Sequence, residues 1–213
     1  MCTIAPSDPI PENDKQLACH GTAKELSAKM KIAVLAWGSL VWCPGRLRIK
    51  SAWHCDGPRL EIEFARISKD GRLTLVLHPG SAQQQTYWAM SELEDRAPAI
   101  ENLADRESCE AARIGFEQKG PAATGPIADW LKPNPDVDAV VWTDLPSNWK
   151  RKRGKDFSCE DALRYVRELG RQKRDRAEQY VRNAPRQIQT NLRDLLRKEL
   201  RWSDKELAKA LFI

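Results

Sequence analysis

The sharpest hydrophobic signal in the chain is Lys31-Ile-Ala-Val-Leu-Ala-Trp-Gly-Ser39, a short apolar run ended by a glycine. It predicts a buried strand entering a tight loop. Leu60 to Arg66 alternates apolar and polar residues at period two, Lys69-Asp-Gly71 is a turn signal, and Leu73 to Leu77 is a second apolar run. That pair predicts a β-hairpin. Gln85 to Met90 reads as a further strand, after which Ser91 and Glu94 form a capping box for a helix with the stripe Leu93, Ala97, Ile100 and Leu103 or Ala104. Arg113 to Glu117 and Asp138 to Thr143 are two more strand candidates, separated by a Pro- and Gly-rich loop from Lys119 to Pro135.

After Trp149 the pattern is helical only. Ser158 and Asp161 make a capping box for a helix whose apolar face is Ala162, Tyr165, Val166 and Leu169. Asn183-Ala-Pro185 interrupts the region; Ile188, Leu192, Leu195 and Leu196 then keep helical spacing, and Ser203 and Glu206 cap a last short helix. The first residues, up to about 28, hold three prolines and no periodicity. They predict a loose arm.

Composition narrows the class. The 213 residues, 41% hydrophobic and 31% charged, suit one domain with an appendage and exclude a chain disordered throughout. No apolar stretch is long enough to span a membrane, and Met1 to Lys15 has no apolar core of a secretion signal; the expectation is a cytoplasmic protein without membrane partners. The six cysteines have no metal-ligand spacing and are expected as free thiols. The net charge of +5 is unevenly spread: residues 150–213 carry nineteen Lys and Arg against ten Asp and Glu, a surplus of +9 that leaves residues 1–149 at −4. The predicted organisation is an arm over 1–29, a body over 30–149 and a basic helical extension over 150–213.

Two short segments carry candidate chemistry. In Trp37-Gly-Ser-Leu40 the glycine lets successive backbone N–H groups turn towards a cavity, where they can hold a carboxylate or an oxyanion. In Glu101-Asn-Leu-Ala-Asp-Arg-Glu107 acidic residues crowd the C-terminal end of a helix, which disfavours them; the plain reading is a solvated end offset by Arg106 or Lys119. His20, His54 and His78 stand apart from one another, which argues against zinc. Ser39 lacks the second glycine of a nucleophile elbow. Arg66, Ser68 and Arg72 flank the hairpin turn, where they could reach a substrate carboxylate, and read first as solvated turn residues. Lys150 to Arg153 with Arg164, Arg167, Arg171, Lys173, Arg174 and Arg176 could track a phosphate backbone, with Trp149 stacking on a base, but interleaved acids favour a solvated helical face.

The order strand, aromatic-Gly-Ser-Leu, hairpin with a Thr-Leu-Val strand and Pro-Gly turn (Leu73 to Gly80), strand, helix and Leu-x-Asp-x-Glu resembles the γ-glutamyl cyclotransferase-like family over about residues 31 to 145. Trp37 stands where that family usually has tyrosine, and Ser108 where glycine commonly follows the acid. The resemblance implies an α+β fold: a mixed β-barrel of the γ-glutamyl cyclotransferase-like type with flanking helices, here carrying an α-helical C-terminal extension. It further implies Glu107 as catalytic acid/base and Trp37, Gly38, Ser39 and Leu40 as the substrate loop. The implied reaction turns a small γ-glutamyl amine or peptide into 5-oxoproline and a free amine, with no cofactor and no metal. The competing expectation is a non-catalytic binding module using the same cavity, its basic helices contacting an acidic protein or nucleic acid.

Overall fold

The computed structural model describes residues 29–203. The expected arm and the helix opened by Ser203 and Glu206 lie outside them. Strands β1 (Ile32–Ala36), β2 (Arg59–Ile67), β3 (Leu73–Leu77), β4 (Gln83–Gln85), β5 (Tyr87–Met90), β6 (Ile114–Gln118) and β7 (Ala139–Thr143) alternate with, and then give way to, helices α1 (Arg96–Glu107), α2 (Pro126–Leu131), α3 (Trp149–Arg153), α4 (Cys159–Glu168), α5 (Arg171–Asn183) and α6 (Asn191–Leu200). The fold is mixed α+β.

The strands make two sheets, ordered β5-β1-β7-β6 and β3-β2-β4. Among the described residues no ring of strand pairing closes them. The run from Gln83 to Met90 belongs to both: β4 pairs with β2 and β5 with β1, both antiparallel, and the chain changes sheet at Thr86, whose hydroxyl donates to the Pro58 carbonyl at 2.6 Å. In the larger sheet β1 and β7 run parallel, Ile32 beside Ala139, and such central strands are buried on both faces. All five residues of β1 are buried accordingly. Ile32, Val34 and Ala36 face the layer of α1 with Ala99, Leu103 and Ala104, whereas Ala33 and Leu35 face Ile62, Phe64 and Leu75 of β2 and β3.

The basic C-terminal helices complete that second layer. Val166 of α4, Ala177 and Val181 of α5, and Leu192 and Leu196 of α6 share one apolar cluster with β2 and β3. Polar anchors fix the join. Glu63 of β2, only 2% exposed, accepts from the Leu192 amide at 3.2 Å at the start of α6, where a carboxylate meets the positive end of the helix. Fully buried Arg193 donates to the carbonyls of Ala184, Pro185 and Ile188 at 2.6–2.7 Å, satisfying backbone groups between α5 and α6 that would otherwise be stranded away from water.

Several expectations need correction. Ser91 does not open α1: its hydroxyl accepts from the Leu93 amide at 2.9 Å, and the helix starts at Arg96 after Asp95. Ala97 is exposed and Ala99 takes its place in the buried stripe. The 119–135 loop contains α2, started by Pro126 at its first turn. Trp149 cannot stack on a base, because it is buried edge-on against Phe157 and Tyr165. The capping box of α4 forms as expected, Ser158 accepting from the Asp161 amide at 3.1 Å.

Candidate functional site

A cavity of about 540 Å³ opens where β1 ends, and it gathers residues from five parts of the chain. Trp37, Gly38, Ser39 and Leu40 form the wall that follows β1; Glu107, Ser108 and Cys109 come from the end of α1; Arg66, Ser68 and Arg72 come from the hairpin; Thr143 and Leu145 come from the end of β7; Tyr180 comes from α5. The two segments picked out in the sequence, with Gly38 and Glu107 69 positions apart, therefore share one space.

Glu107 is the last residue of α1, and its position follows from how that helix stops. Ser108 adopts the left-handed conformation with φ of 51°, its amide donating to Asp105 and that of Cys109 to Ala104 at 3.2 and 3.1 Å. This is a Schellman ending, a place that favours glycine. Ser108 thus occupies a conformation for which the glycine of the resembled family would be the natural residue. The Glu107 side chain is 19% exposed, and loss of water pushes its carboxyl above the usual carboxylate range, with the Arg106 guanidinium pulling the other way.

Arg106 ties the site together. It meets Glu107 Oε1 at 3.1 Å, donates to the carbonyls of Cys43 and Pro44 at 2.5 and 2.9 Å, and reaches Ser39 Oγ at 3.4 Å. One guanidinium so joins the acid to the loop after β1. Of the two counter-charges expected for the helix end, Arg106 is the one used; Lys119 instead donates to the Asn134 carbonyl. The loop is internally bonded as well, Val41 to Gly38 and Cys43 to Ser39 at 3.0 and 2.8 Å.

The hairpin residues are more than solvated turn residues, since they line the cavity. Arg66 donates to the Pro146 carbonyl at 2.6 Å, and its pKa is lowered by burial and by nearby Arg151 and Arg113. Arg72 pairs with Asp70 at 2.9 Å and lies 5.3 Å from the Tyr180 ring centre. Tyr180 was not singled out by sequence, although Ala177, Tyr180, Val181 and Ala184 repeat at helical spacing and mark a buried face. Cys43, Cys55, Cys109 and Cys159 are free thiols. Among the described residues no group of three His, Cys, Asp or Glu side chains could hold a metal, and no helix is long and apolar enough to cross a membrane.

No family model, curated protein or solved structure matches the chain.

Proposed function

We propose that this cavity carries out γ-glutamyl cyclotransferase-like chemistry, in which the α-amine of a small γ-glutamyl amine or peptide attacks its own γ-carbonyl. A C–N bond forms to close 5-oxoproline and the original amide C–N bond breaks. One proton leaves the attacking nitrogen and one is delivered to the departing amine. Glu107 takes the first and returns it as the second, so no cofactor or other reactant is consumed. The observation that carries the reading is Glu107 lining the same cavity as Gly38 to Leu40 with its carboxyl pushed towards the protonated form by burial, which suits a group that must both accept and give. Because both reacting groups belong to one molecule, binding it folded back supplies much of the acceleration. Trp37 and Leu40 act as walls of the substrate loop, and the two sheets with their bent joining run are taken as an open version of the family's barrel.

Direct assay of 5-oxoproline from a panel of γ-glutamyl amines and peptides tests the proposal. Wild type is expected to turn over at least one of them, and Glu107→Gln to lose about 10²–10⁴-fold in rate. No turnover across the panel, or an unaffected variant, overturns it. The binding-module alternative would use the C-terminal helices, where Lys150, Arg153, Arg164 and Arg167 pair with Asp156, Glu168, Asp161 and Glu199 and Arg171, Lys173 and Arg176 are exposed.

A further inference from the structure

Tyr180 reaches the cavity from α5, in the part of the chain beyond the family resemblance, and the chemistry above gives it no task. Its ring is held on several sides. Trp42 meets it edge-on with centres 5.3 Å apart, Phe64 does so at 6.2 Å, and the Arg72 guanidinium lies over it. Those contacts fix the ring and leave the hydroxyl unexplained, although a buried phenol ordinarily has a partner for its polar end.

The surroundings of the oxygen suggest its use. A β-carbon built on Gly38 would come within 3.0 Å of it, so the bare backbone at position 38 is what admits the phenol to the base of the loop. Ser39 and Leu75 line the cavity beside it. A phenol oxygen carries one proton to give, and the cavity that Tyr180 lines is where an acceptor for it can sit.

We propose that Tyr180 is a hydrogen-bond donor to the substrate in this cavity, supplied by the C-terminal helices to the carbonyl oxygen on which negative charge develops. This rests on the reading of the cavity as the cyclotransferase site. As the amine nitrogen bonds to the carbonyl carbon, the π pair moves onto oxygen and the Tyr180 O–H bond to that oxygen shortens. The phenol keeps its proton, since burial and the nearby Glu107 charge push it up to about 12; the one proton that moves from the attacking amine to the leaving nitrogen passes through Glu107 alone.

The test is Tyr180→Phe, which keeps the ring contacts and removes only the oxygen, with Gly38→Ala as a second variant that crowds that oxygen while leaving Tyr180 in place. Turnover is followed with the best substrate of the panel, and binding of 5-oxoproline is followed by calorimetry. Expected are a kcat loss of about 10²-fold or more in both variants, KM changed much less, about tenfold weaker 5-oxoproline binding and a melting temperature close to wild type. Full activity of Tyr180→Phe alongside an inactive Glu107→Gln overturns the Tyr180 role and leaves the reaction standing. Absence of turnover in wild type, with 5-oxoproline binding that still depends on Tyr180, overturns the reaction and keeps Tyr180 as the donor of the cavity. Equal binding by both proteins without turnover, or no binding at all, overturns both.

Discussion

Glu107 and Ser108 are adjacent, and the same helix ending gives each an unusual setting. The carboxyl of Glu107 sits at the negative end of α1 with little water around it, and burial raises its pKa above the ordinary 4.5 while Arg106 restrains the rise. The acid/base must begin ionised, so kcat/KM should increase with pH through an acid limb placed above the usual carboxylate position. Arg106→Met should carry that limb to higher pH, because the opposing charge is gone. The position of the limb in a pH–rate profile is the readout, since losing the bonds to Cys43 and Pro44 will also lower its height. An unmoved limb would contradict the electrostatic account. Ser108, for its part, is a residue with a β-carbon held at φ of 51° and exposed, an arrangement that costs an L-residue about 1–2 kcal/mol. After the extra backbone freedom of glycine is charged against it, Ser108→Gly should stabilise the protein by about 0.5–1 kcal/mol. Urea midpoints measure this, and a fall would show that Ser108 has a role its geometry does not reveal.

At the level of elements, a pattern is legible where one segment decides its own fate. The apolar run of β1 and the alternation and Gly71 turn of the hairpin were legible because each is set by neighbours in sequence. The start of α1 falls later than its sequence predicts because the Ser91–Glu94 pair imitates a cap, whereas Ser91 is bridged across to Ile49 in the structure. The candidate loop and acid were visible through their order along the chain. Tyr180 and the Arg106 clasp were not, since their value comes from contacts with residues far away in sequence. The same holds for Arg193, which reads as one more charge on a basic helix yet is fully buried. Its three carbonyl partners hold the α5–α6 corner, so Arg193→Met should cost about 3–5 kcal/mol. Chemical denaturation checks this, and a loss under about 1 kcal/mol would mean the corner has other support.

Over the whole molecule, the −4 and +9 parts of the sequence are not two bodies. Residues of α4, α5 and α6 lie in one apolar cluster with β2, β3 and Trp37, and Tyr180 brings the basic part into the cavity wall. Unfolding should therefore be a single cooperative transition, with far-ultraviolet dichroism and tryptophan fluorescence changing at the same denaturant concentration. Two separated midpoints would show that the helices melt as an independent unit. The parallel pair at the centre of the larger sheet has a different consequence, one that concerns the newborn chain. Lys31 at the start of β1 bonds to Asp138 just before β7, 107 residues later. At the pace of translation, roughly 5–20 residues per second, β1 waits about 5–20 s for that neighbour. In that interval an apolar strand with an open edge is available to pair with other chains, so the hazard in this architecture falls on the ribosome, before the finished fold has any stability to speak of.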